Sequence, residues 1–319
     1  MSRALLFEQD AVEEVDDWQD ELPALRASSV LWIDLESPTD DELEHLASAL
    51  DLSARSVQLL HDRDHEAPCF HDFESYLQIS ALAPVGFGDL AVLGCLVGES
   101  WVVTVRDRQL EILETFRERA SGSGNTGGLQ GLEFLANLLE WVFESYFEAF
   151  EEIEGVLEEI EVSAMSGDID GSPEVLGRLV SVRHEVGHLR RALSAHREPI
   201  LALTRPEVDA ISSSSSAERF AGLSNRIESA IDAARDSRES VIGSFDVLLA
   251  TTGQRTNEIM KVLTLASVLL LPGSLLAGIM GMNFRLGLFT NPNYFWVVVA
   301  IMLSVAVVTL AIARMRDWI

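Results

Sequence analysis

Three groups of residues in this 319-residue chain have types and spacings that could do chemistry. The first is a stripe near the C-terminal end. Asn257, Met260, Thr264, Ser267, Leu271, Ser274 and Gly278 recur at alternating intervals of three and four. On a helix this 3.5-residue period draws one line of small, hydroxylated or amide side chains up a surface otherwise made of Leu, Val and Ile. Gly281-Met282-Asn283 follows it. Asn283 offers an amide oxygen, and Gly281 permits close backbone approach and conformations closed to other residues. Such oxygens repeated around an axis suit a hard divalent cation that keeps most of its water. The competing reading is that Ser and Gly let helices pack closely, as small residues do in membranes.

The second group is His184-Glu185-Val186-Gly187-His188, which fits H-E-x-x-H on an expected helix. Spacing of four puts both imidazoles on one face, as zinc peptidases require, with the glutamate as general base. Against this, Arg183, Arg190 and Arg191 would repel a cation and no third ligand is identifiable. The third group is His61, Asp62, Asp64, His65, Cys69, His71 and Asp72. These are ligands a transition metal accepts, but their spacing matches no closed zinc module, so a polar loop is the simpler reading and metal sensing the alternative.

The stripe requires a particular setting. Val262 to Met282 is 21 residues without a charged side chain, and Tyr294 to Ala313 is another 20. At 1.5 Å per residue each run crosses a hydrocarbon layer roughly 30 Å thick, so two membrane spans are expected. The segment between them is too short to be more than a turn, which puts both ends of the hairpin on one side. Arg255 and Lys261 precede the first span and Arg314 and Arg316 follow the second, against Arg285 alone in the loop. The positive-inside bias therefore places the long N-terminal part and the C-terminus in the cytoplasm. Two helices cannot enclose a water-filled path, so a pore built on the stripe needs a symmetric ring of copies.

Charge narrows the choice of partner. The chain carries 51 acidic and 23 basic residues, net charge -28; residues from Asn257 onward hold only two of the acids and four of the bases. The first 256 residues therefore hold 49 acids and 19 bases, net -30. Nucleic acid, which demands a basic surface, is excluded as a partner, and divalent cations fit, although excess acid also simply keeps a large domain soluble. Cys69 and Cys95 stand in a chain with no N-terminal apolar segment of signal-peptide type, so a disulfide-free cytosolic domain is expected.

Residues 4–7, 30–35, 76–83, 90–98 and 100–106 read as strands, with Pro84, Gly86 and Gly88 interrupting the middle ones. Ser37-Pro38-Thr39-Asp40-Asp41-Glu42 opens a helix, with an N-cap candidate, Pro in the first turn and acids that the helix dipole favours. A short helix is expected over 53–61. The result is an α/β domain over residues 1–120, closed by the Gly/Ser-rich joint at 121–128. Beyond it the period turns helical: one long amphipathic helix over 129–165, with an uninterrupted row of glutamates from Glu144 to Glu161 on its polar side, and a second over 173–203. That row reads most simply as a solvated face. From about Glu218 to Pro272 no proline intervenes, so one helix near 65 residues, about 97 Å long, runs into the first span, with Gly222, Gly243 and Gly253 as weak points.

The run Asn257-Glu258-Ile259-Met260-Lys261-Val262-Leu263-Thr264, then Leu271-Pro272, then Ala277-Gly278-Ile279-Met280-Gly281-Met282-Asn283-Phe284, resembles the first transmembrane helix and GMN signature of CorA-type magnesium transporters. Arg314-Met315-Arg316-Asp317-Trp318 resembles that family's basic tail, and Arg190-Arg191-Ala192-Leu193 with Arg197-Glu198-Pro199 its antiparallel partner helix. The resemblance implies an α+β membrane protein assembled as a homopentamer in the bilayer of the cell's inner membrane. Its parts would be a cytoplasmic α/β domain (1–120), a helical hairpin (129–211), a stalk helix forming a funnel (217–261), a first span (262–283), an outer loop (284–293), a second span (294–313) and a basic tail (314–319).

The resemblance also assigns roles. Gly281, Met282 and Asn283 would meet the hydrated ion at the outer mouth, and Thr264 and Ser274 would present hydroxyls. Met260, Leu263 and Leu271 would narrow the path, with Asn257 at its inner end. Arg314 and Arg316 would form a collar, and Mg2+ would be both cargo and regulator. One departure matters: Arg285 follows Phe284 where the family usually carries an acid nearby. Five arginines would deplete cations there, which leaves room for Zn2+, Co2+ or Ni2+ as cargo, or for export.

Overall fold

Short runs rich in Val, Ile, Leu and aromatic residues build the front of the chain into a sheet whose central strands are buried on both faces. The computed structural model describes residues 2–8, 11–25, 29–61, 67–122, 130–166, 173–204, 214–282 and 293–315. It contains two units, one of residues 1–162 with 172–245 and one of 163–171 with 246–319. In the first unit, strands β1 (Ser2–Phe7), β2 (Val12–Val15), β3 (Val30–Glu36), β4 (Phe70–Asp72), β5 (Leu77–Val85), β6 (Asp89–Val97) and β7 (Trp101–Arg106) form one sheet of order β2-β1-β3-β7-β6-β5-β4. Among the described strands only β3 and β7 pair in parallel.

Leu31, Ile33 and Leu35 of β3 pack with Ala4, Leu96, Val103 and Val105. Trp18 of a short first helix, α1 (Trp18–Glu21), lies against that face, which is closed by Leu43 and Leu46 of helix α2 (Asp40–Ala49) and Leu60 of α3 (Ala54–His61). Alternate residues of β3 face the other way. There the ring of Trp32 lies 5.5 Å from that of Phe134, 5.6 Å from Phe116 and 6.5 Å from Phe7. Phe116 comes from α4 (Glu111–Gly122) and Phe134 from α5 (Gly131–Ser166). A strand covered on both faces reads as a nearly continuous apolar run, as Val30-Leu31-Trp32-Ile33 does. The one charged intruder, Asp34, is held by Arg106 at 2.9 Å and by the Thr104 hydroxyl at 2.7 Å, and Thr104 in turn accepts from the Trp32 indole. Burial of the charge is offset by its partners.

The expected strands are present, with differences that have physical reasons. β2 and β4 are short acidic edge pieces with no periodicity of their own; pairing with β1 and β5 makes them strands. Pro84 does not break β5. β4 reaches only as far as the Leu77–Ile79 stretch, so Pro84 sits where β5 is bonded on the β6 side alone and its missing N–H costs nothing. The reversal comes later, at Gly86 (φ 60°) and Gly88 (φ 85°), where only glycine is unstrained. Thr39 caps α2 with Glu42 answering as a capping box, so Pro38 lies before the helix rather than in its first turn. The helix expected over 173–203 is two, α6 (Pro173–Ala195) and α7 (Arg197–Ala202), because Pro199 has no N–H to give the Ala195 carbonyl.

The gap at His196 is used. Its Nδ1 donates to the Ala192 carbonyl at 2.7 Å, and its Nε2 accepts from the Leu82 N–H at 2.9 Å. The Tyr146 hydroxyl donates to the Leu82 carbonyl at 2.9 Å. Two side chains thus satisfy β5 where no strand covers it. α5 begins equally close to the sheet: a Cβ on Gly131 would lie 2.3 Å from the Gly98 carbonyl oxygen. Helix α8 (Ser214–Met280) then runs 67 residues, through Pro272, and α9 (Asn293–Met315) follows.

Candidate functional site

Within the second unit, α8 and α9 are the two helices of the described chain long and apolar enough to cross a membrane. One side of each is partly covered. On the apolar part of α8 these positions, besides Ser267, are Leu265, Leu269, Pro272, Gly273 and Leu276, and on α9 they are Val298, Val299, Met302, Ala306 and Thr309, with Ala313 buried. A Cβ on Gly273 would lie 3.0 Å from the Met302 Cε, so the glycine seats that methionine. Other apolar side chains of these apolar segments, among them Leu270, Leu275, Ile279, Trp296, Leu303 and Val307, are exposed. Helices apolar on every side need lipid or further helices around them.

The stripe lies on the other side of α8. Asn257, Met260, Leu263, Thr264, Leu271, Ser274 and Gly278 are exposed and Ser267 is half-exposed. At 100° per residue the stripe centres ~160° around the helix from the surface that meets α9. Small residues on the stripe therefore do not serve packing within this hairpin. Gly273 does, between Leu269 and Leu276. The sequence signal for that surface is the same three- and four-residue spacing, at 265, 269, 272 and 276, but apart from Pro272 it is written in leucines that do not stand out from an apolar helix. Each hydroxyl on the stripe donates to its own helix. Thr264 Oγ1 bonds the Met260 carbonyl at 2.7 Å, Ser267 Oγ the Leu263 carbonyl at 2.8 Å and Ser274 Oγ the Leu271 carbonyl at 3.0 Å. The proton is spent on the backbone, which leaves oxygen lone pairs facing outward as acceptors.

Gly281 continues the helix, its N–H bonded to the Ala277 carbonyl at 2.9 Å, and Met282 closes it with a tighter turn, its N–H reaching back three residues to the Ile279 carbonyl at 3.2 Å. Gly281 does not take up a positive φ. Arg314 lies in the last turn of α9, where a cation complements the helix dipole. Asn283, Arg285 and Arg316 lie outside the described residues.

The H-E-x-x-H group does other work. Glu185 is buried on α6 and accepts the Gly88 N–H, while His188 Nδ1 lies 3.2 Å from the Gly88 carbonyl. The pair clasps the β5–β6 turn to the helix. Burial pushes the Glu185 carboxyl up to about 7, against the Gly88 hydrogen bond and assisted by the Glu152 charge, and its Oε2 has no partner. His184 is exposed. In the third group, His61 pairs with Asp40 at 3.3 Å, Cys69 Sγ sits 3.2 Å from Ser80 Oγ, and His71 stacks on Phe73. Desolvation, with Arg55 nearby, lowers the His71 imidazole below its usual range. Asp62, Asp64 and His65 lie outside the described residues. Among the described residues no three His, Cys, Asp or Glu side chains come together as a metal would need.

The sequence profile of the CorA-like Mg2+ transporter proteins matches residues 27–314. The chain belongs to that family. A cobalt/magnesium transport protein CorA from Methanocaldococcus jannaschii is 26% identical over 295 residues, covering 91% of this chain and 92% of its own. The solved structure of the CorA magnesium transporter from the same organism superposes with a TM-score of 0.77 at 23% identity, over 100% of this chain and 99% of that one. Full-length CmaX superposes at 0.73 and 19% identity, over 99% and 97%. The CorA-family fold, with an N-terminal α/β domain, a long helix and two apolar C-terminal helices, thus extends over the whole chain, and the protein is a membrane transporter.

Proposed function

We propose that five copies of this CorA-family chain form a divalent-cation channel whose axis is lined by the stripe from Asn257 to Gly278, with Mg2+ as its first cargo. One observation carries the reading: the stripe faces away from α9 and is exposed, and its hydroxyl and amide groups suit water or further copies better than lipid. Hydroxyls whose protons are already bonded to the helix present oxygen to the water shell of a passing ion. Met260, Leu263 and Leu271 supply apolar narrowing between them. Asn283 greets the ion at the outer mouth, and Gly281 keeps that helix end narrow. Arg255, Lys261, Arg314 and Arg316 against Arg285 alone put both termini in the cytoplasm. Entry of a divalent ion down an inside-negative potential is then worth about 4.6 kcal/mol per 100 mV.

The test uses full-length protein in liposomes loaded with a metal indicator, in a Cys69→Ser background that leaves the fully buried Cys95. A charged, membrane-impermeant thiol reagent should block metal flux through Ser274→Cys and Thr264→Cys and spare Leu269→Cys, which faces α9. Blocking confined to Leu269→Cys, or flux that survives Asn283→Ala unchanged, overturns the pathway. Running Mg2+, Co2+, Ni2+ and Zn2+ side by side, with each gradient direction, ranks the cargo.

A further inference from the structure

The α5–α6 hairpin carries two exposed faces of opposite charge. On α5, Glu148, Glu151, Glu152 and Glu158 are exposed, and among the described residues none has a basic partner within ion-pair distance. On α6, Arg183, Arg190 and Arg191 are exposed and equally without an acidic partner. Unpaired arginines are unexpected where acids outnumber bases 49 to 19. The nearest apolar neighbours are also uncovered: Val162 is 59% exposed, and Leu176 and Val180 are 40% and 45%.

The heights of these residues match. Arg178 meets Glu159 at 3.9 Å, which fixes the antiparallel register of the two helices. Counting from that pair at 1.5 Å per residue, Val162 lies level with Leu176, and Glu148 with Arg190. Glu151, Glu152 and Glu158 lie within about 6 Å of the level of Arg183. A rotation about an axis along the hairpin preserves height. It would bring the α5 face of one copy against the α6 face of the next, acid to arginine and Val162 to Leu176. That is a heterologous, head-to-tail contact, which closes into a ring when its rotation divides the full circle.

We infer that the acidic face of α5 docks on the arginine face of α6 of an adjacent copy of this chain, so that the hairpin sets subunit order in the assembly. The inference rests on the ring-shaped oligomer proposed above. Exposed charge pairs add little affinity, so the contact chooses partner and register and does not hold the ring together alone. Opposite charge on the two faces also disfavours the face-to-face alternatives, α5 on α5 and α6 on α6, by like-charge repulsion.

Two differently tagged full-length chains, Val162→Cys in one and Leu176→Cys in the other, both with Cys69→Ser, are co-expressed in membranes and treated with a short bis-maleimide. Only contact between chains can give a species carrying both tags. The expected result is a strong mixed dimer band, at least tenfold weaker dimers when Val162→Cys or Leu176→Cys is expressed alone, and a mixed band that fades as salt is raised from 0.05 to 0.5 M. Adding Arg190→Glu and Arg191→Glu should abolish it, and Glu148→Arg with Glu151→Arg in the other chain should restore it. A wild-type oligomer of normal size with no mixed band, or with a self-linked Val162→Cys band, overturns this interface and leaves the pore reading standing. A wild-type protein that is monomeric by light scattering overturns the pore reading itself.

Discussion

Replacing Glu185 by glutamine should stabilise the protein above pH 4.5, by an amount that grows up to about pH 7 and is constant beyond it. The carboxyl is buried against Gly88, Oε2 has no partner, and its pKa stands at about 7 against an ordinary 4.5. In the folded protein the group therefore keeps its proton through the interval 4.5 to 7, whereas the unfolded chain releases it. Stability falls as pH rises across that window, by about 1.4 kcal/mol per unit and about 3 kcal/mol in all. Glutamine keeps the shape, can still accept the Gly88 N–H, and removes the charge from beside Glu152. At pH 8 the variant should unfold above the parent by roughly 6–12 °C, given about 2–4 °C per kcal/mol for a unit of this size. At pH 4.5 the two should coincide. Thermal melting of the detergent-solubilised protein at pH 4.5, 6 and 8, followed by tryptophan fluorescence, reads this directly. A variant that melts below the parent at pH 8, or a gap that does not change with pH, refutes the buried-carboxyl argument. Metal flux should be unaltered, since Glu185 fastens a turn; a proteolytic activity lost with the variant would revive the peptidase reading of the motif.

His196 should titrate with the opposite sign. Burial holds its imidazole down to about 4, so stability is full above 6.5 and is lost as pH falls from 6.5 to 4, by about 3 kcal/mol. His196→Ala should abolish that acid loss and cost about 2 kcal/mol or more at pH 8 by leaving the Leu82 N–H unpaired, measurable in the same melts. Two glycines should respond in opposite ways to alanine. At Gly131 the new Cβ would lie 2.3 Å from the Gly98 carbonyl oxygen and should cost ~2–4 kcal/mol, while at Gly177 nothing lies within 4 Å and the helix should gain ~0.5–1 kcal/mol. Equal effects at the two sites would refute the close-approach argument for the start of α5.

The sequence by itself settled what chain order and periodicity encode. Long uncharged runs dictate membrane helices because an unpaired backbone cannot enter lipid, and the short apolar run Val30–Leu35, too brief for a buried helix, reads as a strand covered on both faces. The stripe was legible for the same reason, since its period names one helix face without reference to any neighbour. Its orientation was not: that Gly273, with Leu269 and Leu276 beside it, takes the α9 contact and leaves Thr264 and Ser274 outside depends on where Met302 lies on another helix. H-E-x-x-H shows the same limit. Spacing of four aligns the two histidines whatever surrounds them, and only the β5–β6 turn, some hundred residues away in the chain, decides that Glu185 and His188 hold a backbone rather than a metal. Periodicity fixes direction around an element's own axis, while identity of the partner across the gap comes from tertiary packing, which no local pattern contains.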